Sequence, residues 1–298
     1  MQIINTVPQM QQVCRNLRRK GTLGLVPTMG ALHDGHLSLV RRAQGECDYV
    51  VVSIFVNPTQ FAAGEDFETY PRTFEDDCAK LEAAGIDLLF APSAEEMYSP
   101  DSTTLVEVPG IGDRLDGASR PGHFRGVATV VAKLFNIVGP DRAYFGQKDS
   151  AQVAVLCAMI HDLNFSVQLV ACPIVRERDG LAMSSRNRYL SPQDRRRALI
   201  LHRALQAVCE LLEAGEIRSE ILQDALSRVF AEDEGVRLDY AAIVDPRTLL
   251  PVADIAQGAL IAVAAWVGST RLIDNLLTEN LQIESLHIRH GLMEETHA

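Results

Sequence analysis

The chain has 298 residues, 47% of them hydrophobic and 22% charged, with 28 basic against 39 acidic side chains and a formal net charge of −11. A chain of this size buries a core without covalent staples and has room for two domains, and its acidity argues against a broad surface for nucleic acid or anionic membranes. Six cysteines without CxxC spacing read as reduced thiols. The first residues lack the basic and apolar segments of a signal peptide, and the longest apolar run, residues 259–267, is too short to span a bilayer as a helix. The expectation is a soluble, cytoplasmic protein with no nucleic-acid or membrane partner, which leaves room for a small basic pocket for one anionic ligand.

A helix over residues 9–20 precedes the apolar run Leu23-Gly24-Leu25-Val26, which reads as a short buried strand. The Pro/Gly-punctuated turn Pro27-Thr28-Met29-Gly30 follows, and then a helix that opens on His33-Asp34-Gly35-His36. Residues 49–56 are rich in β-branched side chains and bounded by Asn57-Pro58, as in a parallel strand buried on both faces. A polar loop with Gln60 leads to a helix over 74–84 and a strand over 87–92. Residues 103–108 read as another strand, and the glycines between 117 and 126 read as a flexible loop before a helix over 127–138. A strand over 142–146 runs into Gln147-Lys148-Asp149, followed by a helix over 150–163 and a strand over 166–170. Strands alternating with helices predict a Rossmann-like doubly wound parallel sheet. Beyond it the texture changes to helices over 193–214 and 219–232 and strands over 238–244 and 260–267, a smaller α+β domain. The boundary falls between residues 175 and 176. The tail from Glu284 onward is polar and reads as poorly ordered.

Two clusters carry chemistry. A strand, a glycine-bearing loop and a helix present bare backbone N–H groups, and roughly half a positive charge, to a phosphate. His33 and His36 lie about one turn apart where that helix begins. Packing alone, helix capping and half a metal site are the competing readings, and the last lacks the third protein ligand that zinc requires. Far along the chain, Met183-Ser184-Ser185-Arg186-Asn187 offers two hydroxyls, a guanidinium and backbone donors, and Lys148 sits just past a strand end, where ligands of open α/β sheets bind. Together these groups suit the neutralisation of a triphosphate.

At these residues the chain resembles the nucleotidylyltransferase superfamily, whose HIGH signature stands here as His33-Asp34-Gly35-His36 and whose KMSKS loop stands as Ala182-Met183-Ser184-Ser185-Arg186. Within it the chain is similar to the pantoate–β-alanine ligase family. The segments that carry the resemblance include residues 27–36, Phe55-Val56-Asn57-Pro58-Thr59-Gln60-Phe61, Tyr70-Pro71-Arg72-Thr73, His123-Phe124-Arg125-Gly126-Val127, residues 144–149 and residues 179–187. Gln147 departs from the pattern, which usually has a charged residue there, while Lys148 and Asp149 keep it.

The resemblance implies ATP-dependent condensation of (R)-pantoate with β-alanine through pantoyl adenylate, with release of pyrophosphate and AMP. Residues 1–175 would bind ATP and pantoate, and residues 176–298 would carry the serine loop as a lid. It further implies that His33 and His36 stabilise charge at the α-phosphate, with His36 a candidate proton donor, and that Lys148, Ser184, Ser185 and Arg186 hold the β- and γ-phosphates. Pro27, Thr28, Met29, Gly30, Gly146, Gln147, Asp149, Val175 and Met183 would complete the ATP site, Gly146 and Asp149 at the ribose and Met29 and Val175 against the nucleoside. Gln60 and Gln152 would bind pantoate, with Asn57 and Arg125 nearby. Mg²⁺ would ride on ATP without a protein ligand, and a homodimer is implied. Another nucleotidylyltransferase, a class I tRNA synthetase and a non-catalytic nucleotide sensor are the alternatives. The synthetase is disfavoured by the acidic charge and the lack of room for an anticodon domain.

Overall fold

The computed structural model describes residues 1–62 and 64–279. In chain order the regular elements are β1 (Gln2–Ile4), α1 (Val7–Leu17), β2 (Leu23–Thr28), α2 (Asp34–Glu46), β3 (Tyr49–Ile54), α3 (Phe74–Ala83), β4 (Leu88–Phe90), α4 (Ala94–Met97), α5 (Asp116–Ser119), α6 (His123–Val138), β5 (Arg142–Gly146), α7 (Ser150–Asp162), β6 (Gln168–Cys172), α8 (Pro192–Glu213), α9 (Ser219–Phe230), β7 (Val236–Val244), β8 (Ala259–Val267) and β9 (Thr270–Thr278). Single 3₁₀ turns occupy Pro58–Gln60, Ile111–Asp113, Gln147–Asp149 and Ser185–Tyr189. The polar tail from Glu284 lies outside the described residues.

The chain divides into two compact units, one comprising residues 1–146 and 155–172, the other residues 147–154 and the chain from Pro173 onward. The first is built on a six-stranded, wholly parallel sheet in the order β1-β4-β3-β2-β5-β6. Its central strands are apolar because both faces are covered: Leu25, Val26, Val51 and Val52 are all fully buried. Val40 and Ala43 of α2 and Leu81 of α3 close the core against Val52 and Leu89. The strand order reverses between β2 and β5, the switch point at whose carboxyl-end crevice open α/β sheets bind ligands. The chain leaves β2 there toward His33 and leaves β5 there at Gly146.

In the second unit the antiparallel sheet β7-β8-β9 packs one face on α8 and α9, with Leu201, Leu205, Leu226, Ile261, Val263 and Leu272 in its core. The apolar run at 259–267 is the central strand β8, which explains its lack of alternation.

Three local expectations are corrected. Residues 103–108 form no strand: the Val106 N–H donates to the Thr129 hydroxyl of α6 at 2.9 Å instead of to a ladder neighbour. Gly117 and Gly126 serve close packing, not flexibility. A Cβ on Gly117 would sit 2.0 Å from the Gly112 carbonyl oxygen, and one on Gly126 2.3 Å from that of Thr59, so α6 begins at His123 and presses backbone to backbone on the 58–60 turn. Finally, β1 and β9 are strands that the apolar pattern does not announce. β1 has only three residues, and the Asp274-Asn275 pair in β9 resembles a turn more than a strand interior.

Candidate active site

In the first unit, β2 delivers Pro27 and Thr28 to its carboxyl end, and the chain turns sharply into α2. The turn uses two left-handed residues, Gly30 at φ 81° and Ala31 at φ 51°. A non-glycine residue in that region is uncommon and needs support. Asp77 on α3, only 1% exposed, supplies it: one carboxylate oxygen accepts the Ala31 N–H at 2.8 Å and the other the Leu32 N–H at 2.7 Å. Thr73 donates to the same carboxylate at 3.2 Å, and Lys80, one turn on, donates to the Leu32 carbonyl at 2.8 Å. Thr28 closes the strand end by donating to the Ser53 carbonyl and accepting the Gly30 N–H.

His33 is the N-cap of α2 and His36 its third residue, with ring centroids 4.1 Å apart. The His33 backbone N–H donates to His36 Nδ1 at 3.3 Å. That nitrogen therefore carries a lone pair, and the proton of the neutral ring sits on Nε2. His36 thus presents an N–H donor at a helix N-terminus, beside the backbone donors that already favour an anion.

The turn at 58–60 lies against the start of α6. Asn57, 1% exposed, is saturated: its Nδ2 donates to Gln60 Oε1 at 3.0 Å and to the Gly126 carbonyl at 3.1 Å, and its Oδ1 accepts from Tyr98 Oη at 2.8 Å and from Thr59. Gln60 Nε2 donates to Met29 Sδ at 3.1 Å. One N–H and one lone pair of the Gln60 carboxamide remain for a ligand. Arg125 is exposed on the first turn of α6.

His123 fixes the Gln60 backbone. Arg120 has no acceptor, so the 3.1 Å contact between its Nη1 and His123 Nε2 makes Nε2 the acceptor, and Nδ1–H donates to the Gln60 carbonyl at 2.8 Å. Arg120 in turn pairs with Glu65 at 2.8 Å through Nε. Burial, helped by the Arg120 charge and opposed by Gln60, Asp116 and Glu65, lowers the His123 pKa from 6.5 to about 4. The unfolded chain therefore takes up a proton at this residue as pH falls through 6.5, while the folded chain does not until about 4. Stability is lost on acidification across that window, and a His123→Gln variant is expected to lose less between pH 7 and pH 5 in urea denaturation. Equal losses for the two proteins would contradict the assignment.

In the second unit, Gln147–Asp149 form a 3₁₀ turn directly after β5, and Gln152 follows one turn later on α7. Lys148 Nζ lies 3.9 Å from Asp149 Oδ1. A Cβ on Gly146, the last residue of the first unit's β5, would meet nothing within 4 Å, so space beside the strand end is open. Residues 175–183 fold back on themselves: the Met183 N–H donates to the Val175 carbonyl at 2.9 Å and the Glu177 N–H to the Leu181 carbonyl at 2.8 Å. This brings Met183 beside Val175. Ser184 caps the following turn by accepting the Arg186 N–H, and Ser185 is buried. Asn187 and Arg195 brace the loop through Glu177, at 2.7 Å each.

The expected residues therefore fall into two groups. Pro27, Thr28, Met29, Gly30, His33, His36, Asn57, Gln60, Arg125 and Gly146 belong to the first unit, and Gln147, Lys148, Asp149, Gln152, Val175, Met183, Ser184, Ser185 and Arg186 to the second. Asp77 and Tyr98 escape a reading of the sequence, in which one is an acid among several on a helix and the other a lone tyrosine. Among the described residues no group of three or more His, Cys, Asp or Glu side chains could hold a metal ion.

A family model described as pantoate-beta-alanine ligase matches residues 2–277. The chain is 56% identical over 280 residues to a pantothenate synthetase of Koribacter versatilis, covering 94% of this chain and 96% of that one. It is 58% identical over 289 residues to one of Acidobacterium capsulatum, covering 93% and 97%. Among solved structures, the pantothenate synthetase of Thermus thermophilus superposes with a TM-score of 0.88 at 50% identity, over 93% of this chain and 99% of that one. A pantoate-beta-alanine ligase of Francisella tularensis, complexed with beta-gamma ATP and beta-alanine, superposes with a TM-score of 0.73 at 33% identity, over 93% and 97%.

Proposed function

The chain belongs to the pantoate–β-alanine ligase family, and from that premise we propose how its residues divide the ATP-dependent condensation of (R)-pantoate with β-alanine. The chemical difficulty is that a carboxylate must approach the α-phosphorus of a triphosphate, anion against anion. Positioning and charge neutralisation meet it, and no protein nucleophile is needed. The pantoate carboxylate attacks the α-phosphorus and pyrophosphate leaves, giving pantoyl adenylate. The β-alanine amine then attacks the acyl carbon, forming the amide, and AMP departs with the electron pair of the broken C–O bond.

His36 donates through Nε2–H to the α-phosphate oxygen that gains charge, with His33 beside it. Lys148, Ser184, Ser185 and Arg186 hold the β- and γ-phosphates, and Mg²⁺ would arrive with ATP and help to neutralise its charge. Pro27, Thr28, Met29 and Gly30 line the entry to α2, Gly146 and Asp149 take the ribose, and Val175 and Met183 flank the base. Gln60 and Gln152 take pantoate, with Asn57 and His123 aiming Gln60 from behind. In this reading the serine loop closes on the nucleotide as a lid carried by the C-terminal residues.

The observation that carries the reading is the capped His33/His36 pair at the switch point of a parallel sheet, supported by the relative solved with beta-gamma ATP and beta-alanine. We further propose a homodimer, to be checked by light scattering, and a cytoplasmic location, in keeping with six free cysteines. No described helix is long and apolar enough to cross a membrane.

The test is pyrophosphate release from ATP and pantoate, with and without β-alanine, followed by mass analysis. Pantothenate and AMP are expected only with β-alanine. An adenylylated product that persists when β-alanine is present would point to a different nucleotidylyltransferase. Gln60→Ala is expected to raise the KM for pantoate by about tenfold, the size of one or two lost hydrogen bonds to a charged group, and to leave the KM for ATP nearly unchanged. An effect confined to ATP would remove Gln60 from the pantoate site.

A further inference from the structure

We infer that Asn275, in the middle of β9, is a positioning residue for ATP, fixing the backbone of the Lys148 turn while its neighbour Asp274 fixes the segment that leads into the serine loop. The inference rests on the assignment of Lys148, Ser184, Ser185 and Arg186 to ATP made above. All the residues involved lie within the second unit.

Asn275 is 3% exposed, yet a strand there has no need of an amide: on the same strand Leu272 and Leu276 fill core positions. Its carboxamide is spent on two consecutive residues. Nδ2 donates to the Gln147 carbonyl at 3.0 Å and to the Lys148 carbonyl at 2.9 Å, and Oδ1 accepts from Gln147 Nε2 at 3.3 Å. Both amide protons and one lone pair are thereby committed, which defines the height and rotation of the turn that carries the Lys148 ammonium.

Successive residues of a strand face opposite ways, and Asp274 points to the face of Leu272 and Leu276. There its carboxylate, 2% exposed, takes a forked pair of bonds from Arg176 at 2.6 and 3.0 Å. Arg176 also donates to the Gly180 carbonyl at 3.0 Å and pairs in a β-bridge with Ala182, the residue before Met183. The Asp274 carboxylate accepts the Asn275 N–H at 2.8 Å, which joins the two arms. One dipeptide on one strand therefore sets the spacing between the lysine turn and the foot of the serine loop. A gap of even an ångström between such segments costs heavily when several donors must meet one triphosphate.

The test uses the full chain and follows pantoate-dependent pyrophosphate release as a function of ATP concentration. Asn275→Leu, of similar size but without hydrogen bonds, is expected to raise the KM for ATP by about tenfold and to leave those for pantoate and β-alanine within about twofold. Asn275→Asp, which turns an oxygen toward the two carbonyls, should move the KM for ATP in the same direction. Leu276→Ala serves as the comparison: it opens a core cavity on the other face, so it should lower the melting temperature without changing the KM for ATP. If the leucine variant does not fold, Asn275→Ala removes the same hydrogen bonds with a smaller side chain and should raise the KM for ATP by a similar factor. A KM for ATP within about twofold of the parent in the folded Asn275 variants would overturn the inference. So would an equal rise in Leu276→Ala, because mere destabilisation would then explain it. Absence of pyrophosphate release from the unsubstituted protein would instead overturn the assignment on which the inference rests.

Discussion

His36→Ala is expected to slow formation of the adenylate by about 10²–10³-fold, the penalty for losing one preorganised donor to developing negative charge, with the fold intact. The side chain caps the helix, accepting the His33 N–H at 3.3 Å. Losing a cap costs about 1 kcal/mol, which a chain of this size tolerates. The same contact places the proton of the neutral ring on Nε2, so the group that would face the phosphate is a donor. Capping and catalysis separate in His36→Asn, whose side-chain oxygen still serves the cap but whose reach is shorter. That variant should melt with the parent protein and still be slow. Rapid-quench measurement of the first turnover, with enzyme in excess over ATP, reads the chemical step directly. An unchanged single-turnover rate in His36→Ala would remove this residue from the mechanism.

The largest expected loss of stability belongs to Asp77→Ala. The carboxylate is buried and accepts two consecutive backbone amides at 2.8 and 2.7 Å, with a third bond from Thr73. Truncation leaves both amides without an acceptor where water does not reach, at about 1–3 kcal/mol each, and it frees Ala31 from the left-handed conformation that the carboxylate enforces. For a protein of this size the combined effect corresponds to a melting temperature lower by about 5–15 °C. Because the anchored residues lead straight into His33, adenylate formation should fall as well. Asp77→Asn keeps one acceptor and should lie between the two proteins. Calorimetry checks the expectation, and a melting temperature of Asp77→Ala within about 2 °C of the parent would contradict it.

Both residues show how far a sequence can be read. His33 and His36 stand out because their spacing, the preceding glycine turn and the apolar strand before them are all local signals, and the parallel sheet follows from the β-branched run at 49–54 by the same kind of pattern. The serine loop is legible for the same reason, as a compact group of donors. Asp77 is not, since it lies 45 and 46 positions from the amides it serves and looks like any acid in the first turn of a helix. Asn275 is hidden twice over. Its partners are 127 and 128 positions away, and its polarity beside Asp274 disguises the strand that places it. The glycines at 117 and 126 mislead in the opposite sense: composition suggests a flexible loop, whereas the carbonyl oxygens of Gly112 and Thr59 leave no room for a Cβ. Long-range backbone satisfaction and close approach leave no periodic trace, and both matter most where the chain is shaped around a ligand.

A crystal structure of the protein with pantoate and a non-hydrolysable ATP analogue tests the proposal that two segments about 150 positions apart in the chain serve a single nucleotide. One triphosphate contacted by His36 Nε2 at the α-phosphate and by Lys148, Ser184 and Ser185 farther along is the expected result. A nucleotide held by either cluster alone, with the other facing solvent, would contradict it.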